Sequence, residues 1–139
     1  MRYLALDVGE ERIGIGISDE TGLVARPLET ILRKPGPASF ERIADLVHEN
    51  GIDAIVVGLP LLLDGSRGKQ VRSTQAYVRG LTTHVEVPIT YWDERYSTNR
   101  AREIMIENRS KHSLDAIAAA VILQEYLDRV EQEERSGEQ

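Results

Sequence analysis

The segment Ile13-Gly14-Ile15-Gly16-Ile17 alternates a branched apolar residue with glycine at a strict period of two, and this pattern limits what the chain can fold into more than any other. Period two is the repeat of a β-strand, whose successive side chains point to opposite faces. The isoleucines face one way and the glycines the other, so one face is stripped of side chains where a helix or another backbone can come close. The preceding run, Tyr3-Leu4-Ala5-Leu6-Asp7-Val8-Gly9, reads as a strand covered on both faces. Glu10, Glu11 and Arg12 make the turn between them, which sets the two strands antiparallel.

The rest of the chain continues in recognisable units. Asp19 to Gly22 is a turn, and Leu23 to Leu32, bent at Pro27, is expected to be a third strand on the sheet edge. Pro35-Gly36-Pro37 opens a helix with Phe40, Ile43, Ala44 and Val47 on one stripe, ending at Asn50-Gly51. Asp53 to Gly58 is a buried strand reached through that helix, hence parallel to the first. A loop from Leu61 to Gly68 leads into a second helix ending near Leu81, and Pro88 to Trp92 is a fifth strand. Ser97 or Thr98 caps a third helix, and Ser113 caps a last helix that is expected to run to about Val130 before an acidic tail. The order describes an α/β domain: a five-stranded mixed sheet, three antiparallel strands extended by parallel βα units, flanked by helices. Residues 1–130 are expected to form one domain, and residues 131–139 the tail.

Composition narrows the chemistry. At 139 residues, 41% of them apolar, the chain supports one core. No run approaches the roughly 18–20 apolar residues of a membrane helix, and no leader pattern opens the chain, so a cytoplasmic protein is expected. The absence of cysteine excludes disulfides, thiolate zinc sites and cysteine nucleophiles. Oxygen ligands then point to hard cations such as Mg²⁺ or Mn²⁺. The net charge of −6 argues at first against a nucleic-acid partner. Its distribution weakens the objection, because residues 125–139 carry −4 of it. Between Gly65 and Val85 there is no acid, against Arg67, Lys69, Arg72 and Arg79, a patch that suits a polyanion as well as it suits plain solvation.

Carboxylates recur where strands end. Asp7 lies late in the first strand, Asp93 and Glu94 end the fifth, and Asp115 stands in the first turn of the last helix. Ala118, Ala119 and Ile122 follow Asp115 at three, four and seven residues, so it heads a buried stripe and points toward the sheet. Each acid has an ordinary reading, Asp7 as a turn cap and Asp115 as a residue favoured by the helix dipole. A buried carboxylate otherwise needs a metal, a cationic partner or water. Three converging on one edge repel unless something cationic lies between them, and two Mg²⁺ ions bridged by carboxylates can hydrolyse a phosphodiester. His48, His84 and His112 belong to no recognisable triad.

Leu4 to Gly9 with Arg12-Ile13-Gly14, Gly58-Leu59-Pro60 with Asp64-Gly65, Trp92-Asp93-Glu94-Arg95 with Ser97-Thr98, and Asp115-Ala116 leading into Ala118-Ala119-Ala120 and Ile122-Leu123 resemble the YqgF family. That family is described as bacterial pre-16S rRNA nucleases and Holliday-junction resolvases with an RNase H-like fold. The match runs from Tyr3 to about Asp128. It implies that Asp7, Glu94 and Asp115 are the catalytic, metal-holding acids, with Asp93 the competing choice beside Glu94. It also implies that Arg12, Arg95, Ser97 and Thr98 contact backbone phosphates.

The leading expectation is a Mg²⁺-dependent nuclease acting on structured nucleic acid, at the 5′ end of precursor 16S rRNA in ribosome biogenesis rather than on branched DNA. One alternative is a Holliday-junction resolvase in recombination and repair. Another is a non-catalytic nucleic-acid-binding assembly factor with idle acids. A phosphotransferase of the actin and sugar-kinase class is disfavoured, because those enzymes close a nucleotide between two such domains and this chain has one. Monomer and homodimer are both compatible with the sequence.

Overall fold

A computed structural model describes residues 1–61, 64–93, 103 and 113–137. Strands β1 (Tyr3–Val8), β2 (Arg12–Ser18), β3 (Ala25–Leu32), β4 (Ala54–Leu59) and β5 (Ile89–Asp93) form one sheet in the order β3-β2-β1-β4-β5. The pairs β1–β2 and β2–β3 are antiparallel, and β1–β4 and β4–β5 are parallel. Helices α1 (Ala38–Glu49), α2 (Lys69–Leu81) and α3 (Leu114–Gly137) cover it. The expected meander, its parallel extension and the edge position of β3 are all present. The expected helix after Ser97 and Thr98 lies outside the described residues.

The two faces of the sheet are built differently. Leu4, Leu6 and Val8 of β1, Ile13, Ile15 and Ile17 of β2, and Ile55 and Val57 of β4 pack against Ile43 and Leu46 of α1 and Tyr77, Val78 and Leu81 of α2. Burying each such side chain contributes roughly 1.5–3 kcal/mol. The other face is mostly small residues, Ala5, Ala25 and Ala54, with Val56 and Tyr3, against Ala120, Ile122, Leu123 and Leu127 of α3. Gly14 and Gly16 belong to this second face. A β-carbon on Gly14 would overlap the Asp115 carbonyl, and one on Gly16 would lie 2.8 Å from the Ala120 nitrogen. The stripped face is thus filled by helix backbone.

Two expected boundaries move. The third strand starts at Ala25 rather than Leu23, because Asp19 Oδ1 accepts the Leu23 and Val24 amides at 2.9 and 3.1 Å and holds both in the turn. Pro27 pairs with Gly16 beside a break in register between Ile15 and Gly16, which is the bulge an edge proline tolerates. The last helix does not end near Val130 but continues to Gly137. Arg135 Nη2 meets Glu131 Oε1 at 2.8 Å across one turn, a pair of the spacing that supports exposed helix.

Two of the acids in the charged stretch 125–139 are inside the fold. Glu125 and Asp128 are buried, with Gln124 beside them. Gln124 Oε1 accepts the Ala25 amide at 2.9 Å, and its Nε2 donates to the Leu23 carbonyl at 3.0 Å and to Asp128 Oδ1 at 2.9 Å. Trp92 Nε1 donates to Glu125 Oε2 at 3.3 Å. Burial, with a smaller push from Asp128 and against the Trp92 hydrogen bond, raises the Glu125 carboxyl to about 7. Its native pKa lies above the unfolded one, so stability falls as pH rises toward and through 7.

Two substitutions test this packing. Gly14→Ala forces α3 off β2 and should lower the unfolding free energy by about 2 kcal/mol or more, read by urea denaturation. Glu125→Gln keeps an acceptor for Trp92 and removes the titration. The variant should be more stable than the wild type at pH 8 and lose that advantage at pH 4, as a Tm series will show.

Candidate active site

Asp7 is the fifth residue of β1 and pairs with Gly14. Tyr3 and Ala5 pack on the α3 side of the sheet, and alternation puts Asp7 there too. Because Gly14 has no side chain, the first turn of α3 settles over this point of the sheet and brings Asp115 to Asp7. Burial, and then the charge of Asp115, raise the Asp7 carboxyl to about 6. The ordinary reading of Asp7 as a solvated turn cap does not hold: it is largely enclosed, and an acid stands next to it.

Asp115 is held by its own surroundings. Ser113 Oγ accepts the Ala116 amide at 3.2 Å, the side-chain cap expected at this helix start, and also bonds Thr30 Oγ1 on β3. Arg12, the first residue of β2, donates from Nε to Asp115 Oδ2 at 3.0 Å and has Glu11 Oε2 at 3.7 Å. The guanidinium expected to reach for phosphate is therefore also the cation beside the second acid.

The turn that follows Asp7 is braced from the opposite face by residues that the sequence did not single out. The Gly9 amide donates to the Arg12 carbonyl at 2.9 Å. Gln70 Nε2 of α2 donates to the Val8 carbonyl at 3.1 Å. Arg33 Nη1 donates to the Gly9 carbonyl at 3.0 Å and to Ser73 Oγ at 2.9 Å, and its guanidinium lies 5.1 Å from the Tyr77 ring centre. Arg33 looks like an edge-strand residue in sequence, and nothing local marks it as the link between α2 and the β1–β2 turn.

Asp93 is placed less favourably. It ends β5 opposite Leu59. Ile89 packs on the α1 and α2 side and Trp92 on the α3 side, so alternation turns Asp93 to the face away from Asp7. Glu94, Arg95, Ser97 and Thr98 lie outside the described residues, as does His112. His84 sits on Phe40 at a ring separation of 5.1 Å, remote in role from the acids. Among the described residues no three His, Asp or Glu side chains form a group able to hold an ion; Asp7 and Asp115 are a pair. Two carboxylates, one of them enclosed and raised in pKa, are an oxygen-only donor set that fits a hard divalent ion.

Known proteins resemble the chain over most of its length. The family described as "RuvX: Holliday junction resolvase" matches residues 1–129. The chain is 39% identical over 134 residues to a "Putative pre-16S rRNA nuclease" of Thermoanaerobacter pseudethanolicus, covering 92% of this chain and 96% of that one. A protein of the same description from Chloroflexus aurantiacus is 42% identical over 131 residues, covering 90% and 85%. Among solved structures, Thermus thermophilus RuvC in complex with a Holliday junction substrate superposes with a TM-score of 0.64 over 94% of this chain and 96% of that one, at 15% identity. That likeness establishes the RNase H-type fold expected from the sequence.

The raised Asp7 carboxyl makes a stability prediction separate from catalysis. Its native pKa of about 6 exceeds the unfolded value of 3.8, so the folded chain without added metal loses stability as pH rises through 6. Asp7→Asn should therefore raise the unfolding free energy at pH 8 by on the order of 1–2 kcal/mol. At pH 4 the gain should vanish, a contrast measurable by denaturation in EDTA.

Proposed function

This chain belongs to the RuvX family, the YqgF family of its sequence motifs, and from that premise we propose that it is a metal-dependent nuclease that hydrolyses phosphodiester bonds at the 5′ end of precursor 16S rRNA. The observation that carries the reading is the largely enclosed Asp7 with Asp115 beside it, a carboxylate whose charge is costly to hold there without a cation. On this reading Asp7, Asp115 and Glu94 hold Mg²⁺ or Mn²⁺, one ion or two. A divalent ion bound there supplies an activated water and neutralises charge on the phosphoryl oxygens.

The chain's own residues do the rest. Asp7 and Asp115 fix the donor atoms from two rigid elements, a central strand and a helix start, which is what a hydrolytic site requires. Arg12, with Arg95, Ser97 and Thr98, binds backbone phosphates. Arg33 and Gln70 hold the turn after Asp7, so the carboxylate keeps its direction when substrate presses on the edge. The protein works in the cytoplasm; no helix among the described residues is long and apolar enough to cross a membrane.

Precursor rRNA is favoured over branched DNA by the descriptions of the relatives at 39–42% identity. The description of the matching family favours the second reading, a Holliday-junction resolvase, which would act as a symmetric dimer on two strands. The deciding assay offers purified protein, with Mg²⁺, a precursor 16S 5′-end transcript and a four-way DNA junction. Cleavage of the transcript is expected. Asp7→Asn and Asp115→Asn should each lower it by about 10²-fold or more, and EDTA should abolish it. Unchanged cleavage by the folded Asp7→Asn variant would remove the mechanism, and cleavage of the junction alone would move the substrate to DNA.

A further inference from the structure

We infer that the outward face of α2 is a docking surface for the sugar–phosphate backbone of the nucleic acid beyond the bond being cut. The inference deepens the nuclease reading and rests on it for the place of the cut, though not for the presence of a polyanion.

Lys69, Arg72, Ala76 and Arg79 are all exposed, and their spacing of three, four and three puts them on one helical stripe. The stripe lies opposite the buried Val71, Thr74, Val78 and Leu81. From Lys69 to Arg79 is about 15 Å along the axis at ~1.5 Å per residue, a length over which a strand presents several phosphates. Exposed Arg67 precedes the helix, and Arg72 Nη1 reaches its carbonyl at 3.4 Å.

A merely solvated helix face would be built otherwise. Exposed helices normally interleave acids at three- and four-residue spacing, which favours the helix, whereas like charges at that spacing oppose it. No acid occurs from residue 65 to residue 85. Lys69 and Arg72 also stand in the first turns of α2, where the helix dipole disfavours cations. Both choices work against the isolated helix and are relieved by a bound polyanion.

The placement ties the stripe to the candidate site. Gln70, next to Lys69, bonds the Val8 carbonyl, and Ser73 anchors the Arg33 that bonds Gly9. The amino end of α2 therefore stands on the turn just after Asp7, and the stripe leads away from that edge. Beside it opens a cleft of about 360 Å³ whose lining includes exposed Lys34, with Arg33, Ala76 and Tyr77, and one acid, Glu10.

The test is fluorescence anisotropy on a labelled RNA stem-loop with single-stranded flanks and on a labelled four-way DNA junction, in EDTA, from about 50 to 200 mM salt. The variant Lys69→Gln/Arg72→Gln/Arg79→Gln, confirmed folded by its Tm, should bind at least about 10-fold more weakly and lose about 2–3 from the slope of log affinity against log salt. Ala76→Lys should bind more tightly, with a slope steeper by about 0.7–0.9. Arg26→Gln, exposed on β3 opposite Ile17 at the far end of β2, should change neither. With Mg²⁺ at saturating substrate, the triple variant should cleave at the wild-type rate with a raised KM. A triple variant that keeps the wild-type slope, or an Arg26→Gln effect as large per charge, overturns the surface even if the wild type cleaves. A flattened slope in the triple variant, together with a wild type that cuts nothing, keeps the surface and removes the nuclease.

Discussion

The contact on which the structure depends is backbone against backbone, where α3 lies on the glycine face of β2. Helices normally sit about 10 Å from a sheet because side chains from both fill the space between them. At Gly14 one of those layers is missing, and the Asp115 carbonyl occupies the volume a methyl group would need. This close seat is what delivers a carboxylate from the start of α3 to one in the middle of the sheet. It also explains why the two faces differ: among the described residues, two helices bury the isoleucine side, whereas α3 lies directly on the glycine and alanine side.

The same seat imposes an electrostatic cost. Asp7 is largely enclosed, and the charge of Asp115 beside it adds to what burial already does, so Asp7 is hard to ionise. The fold offsets this only in part, through the Arg12 guanidinium on Asp115 and the amino end of the α3 dipole. Packing elsewhere, chiefly the large isoleucine core, supplies the stability that lets such a pair persist. A structural role alone would be served better by an uncharged pair.

How much of this was legible in the sequence depends on how local each cause is. The strand pairing and the bare face of β2 could be read because a two-residue period is written in five consecutive letters. The inward direction of Asp115 could be read from Ala118, Ala119 and Ile122 on its helical stripe. The start of β3 was misread because a single carboxylate oxygen on Asp19 captures two amides, and the apolar Leu23-Val24 gives no hint of it. The burial of Glu125 and Asp128 was missed for the opposite reason: in a charged C-terminal stretch, composition says solvent, and only Gln124 and Trp92 across the fold say otherwise. The brace by Arg33 and the Arg12–Asp115 pair join residues 40 and 103 apart, and no periodicity reports contacts of that kind. The direction of Asp93 was not legible until Ile89 and Trp92 fixed the phase of β5; its neighbour Glu94 lies outside the described residues.

An acidic chain that handles nucleic acid is less paradoxical once its charges are placed. Glu131 and Glu134 of α3 line a small pocket with Met1 and Tyr3, at the amino end of β1. Lys69 and Arg72 stand at the amino end of α2, next to the turn that follows the carboxyl end of the same strand. The net charge of −6 therefore does not describe the α2 stripe, whose exposed charges are all basic. On the proposed reading a polyanion is drawn to that stripe and repelled by the acids of α3, and screening over roughly 8–10 Å at ordinary salt keeps the two nearly independent. On the same reading, excess negative charge remote from the candidate site limits unproductive contact without weakening the productive one, so a low pI is compatible with a phosphate-binding surface on a single small domain.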